Sequence, residues 1–372
     1  MSSLARSTTK QTVYSRRDLA RQRWAARWRQ TRGAWSIYAE NRIAVLGLII
    51  IVLFALVPFV YAILRSDAWQ GRVYDPITGF DINYAPHPSP PSWIPADALP
   101  LDSMHRFSAS RPSFDHLLGT DTVGRDVLSV LMASTVNSFI VGMTAALVTA
   151  VVGITLAAVA AYHRGATDLI LTHISDAFLL IPAPIFMIAV GAFLRAQNTT
   201  IFEIFYERVT GSGISDVAEA IIQPLEFGLV YGIIAGAGGA TIVLRSHGLK
   251  VMNYSFVEAS RVAGGGARQI IWHHLVPHMV PLAAIYMMVT VTGAVIADGF
   301  LSFTGYNPNP LSWGTMIYNA FVYRSVNATI PWNALLAPAI AISLFAAAFY
   351  MVSRGIHQVV EPRLRDEFEG RG

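Results

Sequence analysis

Charged residues are scarce in this sequence. Only 13% of its 372 residues are Asp, Glu, Lys or Arg, whereas soluble domains average about 25%. The chain has no cysteine, which excludes disulfides, iron–sulfur clusters and zinc sites built on cysteine. Its net charge of +4 gives no reason to expect nucleic acid as a partner. The missing charge indicates that long parts of the chain lie away from water.

Lysine is almost absent, and the common catalytic motifs are missing. Lys10 is followed by Gln11 and Lys250 by Val251, so neither completes the Gly-Lys-Ser/Thr end of a P-loop. We also find no Gly-x-Ser-x-Gly and no His-Glu-x-x-His. We therefore expect no ATPase site, no metal site and no other catalytic site in this chain.

Six apolar runs dominate what is present, and in lipid such runs must be helices because each backbone amide has to be satisfied within its own segment. Residues 43–64 are 22 uncharged positions, long enough to cross the bilayer. The next run exceeds one crossing, so we expect an interfacial helix near 125–134 and a span at 136–161. The other runs lie between Asp176 and Arg195, between Glu226 and Arg245, between His278 and Asp298, and over 333–353. The sequence predicts an all-α bundle of six transmembrane helices.

Arginine and lysine set the expected orientation. Ten of them lie in residues 1–42 but only four in 65–124, so we expect both termini in the cytoplasm. The basic N-terminal segment suits contact with anionic lipid. The expected organisation is a cytoplasmic segment (1–42), a first helix (43–64), an extracytoplasmic loop (65–124), a five-helix core (125–356) with a cytoplasmic loop at 245–278, and a cytoplasmic tail (357–372).

Three features near the membrane surface leave alternatives open. The long outer loop is an irregular connector or a docking surface, and 196–225 forms a second outer segment of unknown structure. We place Asp168 in a short cytoplasmic turn, 162–168. Asp176 and Asp298 lie at span edges, where they either reach the interface or, for Asp298, line a solute path.

The cytoplasmic loop carries the most informative motif. The pattern from Phe256 to Pro277 predicts a short amphipathic helix, a glycine break at Gly264, and a second short helix ended by the proline. Glu258 lies early in the first helix, with Arg261 one turn later. Such a segment is a loop tethered to lipid headgroups or a docking site for a partner. The histidines that follow suit a solvated loop better than a metal site, since no carboxylate is nearby in sequence: His273, His274 and His278.

This segment resembles the cytoplasmic signature of binding-protein-dependent ABC importer permeases, Glu-Ala-Ala, three residues, Gly and a later Pro. Glu258, Ala259, Gly264 and Pro277 match that signature, and Ser260 replaces the second alanine. The resemblance implies the type I importer permease fold. It also implies that this loop couples the permease to an ATPase, through Glu258, Ala259, Arg261, Gly264 and Pro277.

Three further segments are similar to the oligopeptide and dipeptide branch of that family. Residues 118–131 match its Gly-Thr-Asp…Gly-Arg-Asp box, residues 301–303 and 312–314 match its Leu-Ser-Phe and Ser-Trp-Gly, and 361–363 resemble its Asp-Pro-Arg ending. The residues of the box that we single out are Asp121, Gly124, Arg125 and Asp126.

The resemblance implies an inner-membrane importer assembled from several chains. Its partners would be a second, related permease, two cytoplasmic ATPases that bind ATP and Mg, and an extracytoplasmic solute-binding protein. The expected solutes are di- or oligopeptides, with nickel or oligosaccharides as the alternative. A secondary transporter is a competing interpretation, but the middle of every span is uncharged, which argues against it. We place the solute path at Asp298, Phe300, Tyr286 and Met287.

Overall fold

The computed structural model describes residues 32–66, 72–81, 116–197, 216–306, 311–322 and 332–360. Across those ranges the chain is helical apart from turns and one isolated bridge between Thr120 and Asp126. The basic segment up to residue 31, most of the loop predicted at 65–124 and the Pro-Arg motif after residue 360 lie outside the described residues.

Nine helices longer than one turn form the described part of the chain after a helical stretch at 32–40. Two of them, α5 and α7, contain a wider π-helical turn. The helices are α1 (Arg42–Ser66), α2 (Val127–His163), α3 (Gly165–Leu180), α4 (Ala183–Gln197), α5 (Asp216–Ala235, Gly236–Ala240 and Thr241–Val251), α6 (Ser255–Val262), α7 (Ala267–Ile270, Ile271–Leu275 and Val276–Phe303), α8 (Trp313–Val322) and α9 (Trp332–Val360).

The described helices confirm an all-α membrane protein with several spans. Five of them, α1, α2, α5, α7 and α9, are long and apolar enough to cross a bilayer. A sixth crossing is present when α3 and α4, which are bent by 81° at their junction, are counted together. Each predicted apolar run falls on one of these elements.

The main core lies where α7, α8 and α9 pack against α2. Trp313 and Phe345 are fully buried there, and their ring centroids are 5.5 Å apart. Phe139 and Phe349 add further ring contacts at 5.1 and 4.8 Å from Phe345. Burying large aromatic surface against several helices fixes their relative positions.

Glycines allow α5 to approach α2 at backbone distance. A Cβ atom added at Gly228 would lie 2.6 Å from the Val141 carbonyl oxygen, and one at Gly232 would lie 2.7 Å from that of Ala145. Gly236 continues this stripe one turn later, with 3.0 Å to the nearest side-chain atom of α2. Small residues at a four-residue spacing permit such close packing in membranes. The stripe therefore joins the two helices tightly.

The interfacial helix predicted near 125–134 is wrong. Helix α2 runs without a break from Val127 to His163, and residues 127–141 contain neither glycine nor proline to end it. The long apolar run therefore forms one helix of 37 residues that extends beyond the membrane core.

The third apolar run is not a single straight span. It breaks between Leu180 and Ala183, where Pro182 has no amide hydrogen to continue the helix. The predicted turn at 162–168 is also wrong. Helix α2 ends at His163 and α3 begins at Gly165, so Asp168 lies in the first turn of a helix.

The outer segment predicted at 196–225 is partly helical. Its described end, from residue 216, belongs to α5, and residues 198–215 lie outside the described part of the chain. Near the middle of α5, the backbone of Gly238 departs from helical geometry. A Cβ atom there would lie 3.3 Å from the Leu179 nitrogen, so the irregular turn of α5 lies against the end of α3.

Candidate functional site

Helix α6 is the short amphipathic helix that the sequence predicts. It buries one residue, Val257, and exposes Glu258, Ala259 and Arg261 on its other faces. Val262 at its end is 86% exposed. A helix of eight residues with so little buried surface is held by its termini and its neighbours rather than by its own packing.

The glycine break after α6 is an ordered helix cap. The Gly264 amide donates to the Arg261 carbonyl at 2.9 Å, and the Gly265 amide donates to the Ser260 carbonyl at 2.8 Å. These two bonds define a Schellman motif, which requires a left-handed residue directly after the helix. Gly264 supplies it with φ of +86°. The glycine of the predicted motif therefore sets the direction in which the chain leaves α6.

The prediction that Pro277 ends a second short helix is wrong. It lies within α7, which continues to Phe303. Proline lacks an amide hydrogen and its ring crowds the carbonyl of the preceding turn. The wider turn over Ile271–Leu275 comes directly before it and provides the needed space. The glycine break after α6 is therefore connected by one helix to the opposite end of the bundle.

Aromatic and histidine rings connect α6 to the start of α7. Phe256 stacks on His278 with ring centroids 5.5 Å apart, and His274 lies at the same distance from Phe256. Tyr254 adds a contact to His278 at 6.5 Å. Two of the three histidines in the sequence cluster thus serve as packing partners for α6.

Residues 252–266, here called the coupling segment, also contact the turn between α2 and α3. The Arg164 guanidinium donates to Asn253 Oδ1 at 3.1 Å. The Arg261 guanidinium lies 5.9 Å from the centre of the Tyr162 ring. Sequence analysis missed Tyr162, Arg164 and Asn253, because no local pattern distinguishes them from other residues of a polar turn.

A second polar arrangement, the polar cap, lies at the opposite end of the bundle. It consists of Asp81, His116, Asp121, Arg125 and Asp126. Asp126 caps α2 by accepting the Ser129 amide at 2.7 Å, and its other carboxylate oxygen lies 2.9 Å from His116 Nδ1. His116 Nε2 lies 3.5 Å from Asp81 Oδ2. These groups are held together by charge-assisted contacts in a buried setting.

The remaining box residues complete this cap. Asp121 accepts the Val123 and Arg125 amides, each at 2.9 Å, and its second oxygen lies 2.7 Å from Arg125 Nε. Gly124 has φ of +88°, which explains glycine in the motif. Its carbonyl accepts the Asp81 amide at 2.8 Å. The structure thus brings the four predicted box residues together.

Burial and charge act against each other on the pKa of His116. Burial alone lowers that pKa, but the carboxylates of Asp126 and Asp81 outweigh it and raise the pKa above the ordinary histidine value. A protonated ring can donate to both carboxylates at once. The cap therefore favours the imidazolium form of His116.

The predicted solute-path residues do not share one surface. Asp298 is buried and accepts a hydrogen bond from Ser312 Oγ at 2.9 Å, while Phe300 is 45% exposed. Met287 packs against the main core. Ser302 Oγ lies 2.9 Å from Ser312 Oγ, so the Leu-Ser-Phe and Ser-Trp-Gly motifs meet at Asp298, a convergence that sequence spacing alone did not reveal.

Comparison with known proteins points in one direction. Residues 150–366 match the model of a family described as "Binding-protein-dependent transport system inner membrane component". The chain is 30% identical to the oligopeptide transport system permease protein of Haemophilus influenzae, over 67% of this chain and 71% of that protein. It is 28% identical to the dipeptide transport system permease protein of Bacillus subtilis, over 68% and 71%. It is 27% identical to the glutathione transport system permease protein of Pectobacterium atrosepticum, over 72% and 80%.

Proposed function

The chain belongs to the family of binding-protein-dependent transport system inner membrane components, and from this premise we propose that it is a permease subunit that imports di- or oligopeptides. Its multi-span, all-helical bundle is the type I importer permease fold of that family. Similarity to permeases named for oligopeptides, dipeptides and glutathione supports peptides as the solute class.

One observation carries the coupling part of this proposal. Helix α6 presents Glu258 and Ala259 outward between two helices long enough to cross the membrane. It is ordered by the cap at Gly264, yet most of its surface is uncovered within the chain. An ordered helix with an uncovered amphipathic surface is suited to a cleft on another protein.

The proposed assembly follows from this placement. Two ATPases bind ATP and Mg at the cytoplasmic end, where each permease presents its coupling segment. A solute-binding protein delivers its ligand at the end that carries the polar cap, and a second, related permease completes the pathway. Closure of the ATPases moves the coupling segments, and the bundle changes its access from one side to the other. Hydrolysis takes place in the partners and not in this chain.

The decisive experiment uses the complete importer in proteoliposomes. Glu258→Lys reverses a charge on the exposed surface of α6, so we expect normal assembly but loss of peptide uptake at a retained basal ATPase rate. Arg354→Glu is the matched control, because Arg354 is an exposed residue of α9 whose reversal changes the net charge by the same magnitude in the opposite direction. Equal uptake by both variants would remove α6 as the docking element.

The proposed solute path comprises Asp298, Phe300, Tyr286 and Met287. Phe300 is the most exposed of these side chains and is the direct candidate for contact with solute. Asp298 would act through Ser312 and the start of α8. Phe300→Ala should change the relative uptake of apolar and polar dipeptides without changing stability. An unaltered preference would exclude Phe300 from the path.

Nickel or oligosaccharide remains the alternative solute class, with a secondary transporter as the alternative mechanism. Mass spectrometry of the ligand that co-purifies with the cognate binding protein separates the solutes. Uptake by this chain without any ATPase would favour the secondary transporter.

A further inference from the structure

Three contacts join the end of α2 and the start of α3 to the end of α5 and to the coupling segment that follows it. Besides the Arg164–Asn253 hydrogen bond and the Arg261–Tyr162 contact, Asp168 binds Arg245 through both of its carboxylate oxygens. We call this set the turn clamp, and it comprises Tyr162, Arg164, Asp168, Arg245, Asn253 and Arg261.

The Asp168–Arg245 pair has the geometry of a strong contact. The two side chains are 18% and 25% exposed, so water screens them less than an ordinary surface pair. The guanidinium meets the carboxylate in a two-point arrangement that fixes direction as well as distance. Arg164 also interacts electrostatically with Asp168.

Packing leaves much of the position of α3 to these polar contacts. Ser175 is the one residue that this helix buries. The far end of α3 lies against Gly238 of α5, and its beginning is held by Asp168. The first turn of α3 is therefore fixed to α5 through Asp168.

The backbone at Arg164 is a separate observation. Arg164 has φ of 51° and ψ of −169°, a region that glycine adopts readily and other residues do not. Glycine would suit the turn better, but it has no side chain to reach Asn253. An arginine in this conformation adopts an unfavourable backbone geometry and makes the contact to Asn253.

We infer that the turn clamp is a second transmission element, which makes α3 move together with α6 when the ATPases close. Arg164 and Asp168 are positioning residues that act through Asn253 and Arg245. This inference rests on the proposed function, since it needs ATPases that move the coupling segment.

The first test measures distance and does not depend on transport. Spin labels are placed at cysteines that replace Ala166 in the first turn of α3 and Ser255 at the start of α6, both exposed positions. The labelled permease is measured within the full importer. We expect one narrow distribution of the distance between the two labels. That distribution should stay the same when a non-hydrolysable ATP analogue binds. Adding Arg164→Gly should broaden that distribution. A distance that changes with nucleotide in the parent, or an unaltered distribution in the Arg164→Gly variant, overturns the inference.

The second test measures peptide imported per ATP hydrolysed. Arg164→Gly relieves the backbone conformation but removes the contact to Asn253, so we expect an unchanged or higher unfolding temperature together with a fall of about fivefold or more in this ratio. A merely structural turn residue would give no such fall. His173→Ala is the control, because the hydrogen bond of His173 goes to the Leu169 carbonyl within its own helix.

A charge exchange keeps the test meaningful if single variants fold poorly. Asp168→Arg combined with Arg245→Asp should recover part of the uptake per ATP lost by either change alone, because Arg164 and Asp176 would then lie near charges of their own sign. Full coupling in the single variants, or no recovery in the pair, contradicts the clamp. Failure of the unmodified importer to couple uptake to ATP would instead reject the proposed function, and the clamp with it.

Discussion

At one end of the bundle the polar cap pairs its charged groups within the chain, and at the other end the coupling segment leaves its charged groups exposed. Asp126 and His116 have side chains 1% and 3% exposed and contact each other at 2.9 Å. Glu258 and Arg261 lie on the surface of a helix that buries one residue. Both regions combine charged residues with a glycine of positive φ, so composition alone does not distinguish them.

The difference separates charged groups that are paired by folding from charged groups that, on the proposed function, are left for contact with another protein. A buried charged pair that is satisfied internally stabilises one geometry, because removing either member leaves the other without its partner. An exposed charge on a short helix contributes little to stability and can be used for binding. Two motifs of similar composition thus have different consequences: the charged pair of the polar cap contributes to stability, and the exposed charges of α6 are available for binding.

The largest expected effect concerns which side of the membrane each end faces. Cysteine is absent from the sequence, so single cysteines report without background from this chain. Cysteine at Val262 should react with an impermeant maleimide from the cytoplasmic side alone, and cysteine at Val123 from the opposite side alone. Vesicles of both orientations provide the control. Reaction of both positions from the same side would contradict the six-span topology and the comparison built on it.

Removal of the cap carboxylate should cost the most stability. Asp126→Ala deletes the acceptor for the Ser129 amide and the partner of His116, a loss of about 3 kcal/mol. Thermal unfolding of the purified protein, followed by tryptophan fluorescence, should shift to lower temperature. Asp126→Asn retains an acceptor oxygen and should lose less. At the coupling end, Glu258→Ala should leave the unfolding temperature unchanged. If Glu258→Ala lowered it as much as Asp126→Ala does, the two ends would not differ in their contribution to stability.

The three glycines after α6 provide a graded test of the coupling end. Gly264→Ala forces a positive φ on alanine at a cost of about 1 kcal/mol, and Gly265→Ala places a Cβ atom 2.7 Å from the Ser260 carbonyl oxygen. Gly266→Ala meets no atom within 4 Å and is the matched control. We expect reduced uptake per ATP in the first two variants and unchanged uptake per ATP in Gly266→Ala. Loss in all three would indicate that flexibility, and not the cap, matters.

The smallest expected effect is a pH dependence confined to the polar cap. Since the pKa of His116 is raised in the folded protein above its ordinary value of 6.5, its stabilising contribution is complete below that value and is lost as pH rises through the raised pKa. The unfolding temperature should therefore fall more between pH 6 and 8 in the unmodified protein than in His116→Gln. His273→Gln, an exposed residue near the other end, should leave the slope unchanged. Identical slopes in all three would remove the cap as a titrating unit.

Sequence patterns predicted the helices well because lipid leaves few alternatives. Uncharged runs of sufficient length must form helices there, and every such run is helical in the structure. The break between α3 and α4 was not predicted, because proline is tolerated in some membrane helices and breaks others. Whether a proline bends a membrane helix depends on what packs nearby. Here the end of α3 lies against the irregular turn at Gly238, and that contact is not local in sequence.

The parts of the candidate site that depend on a local sequence pattern could be predicted. Gly264 and Glu258 were identified from a glycine break after a short amphipathic helix and from the resemblance of that segment to the permease signature, whereas the left-handed conformation of Gly264 is seen only in the structure. The contacts of Asp298 with Ser312 and of Asp168 with Arg245 join residues distant in sequence. Sequence spacing gives no geometry for such pairs, so their partners could be identified only from the fold.

Helix α7 has a mechanical consequence through its length. With 37 residues from Ala267 to Phe303, it measures about 56 Å at a rise of 1.5 Å per residue. The hydrocarbon core is about 30 Å thick, so both ends project beyond it. A tilt of roughly 10° about the midpoint would displace each end by about 5 Å in opposite directions, given that length. The helix can therefore act as a lever that pivots within the membrane. When one end of α7 moves towards the bundle axis at one surface, the other end moves away from it at the opposite surface.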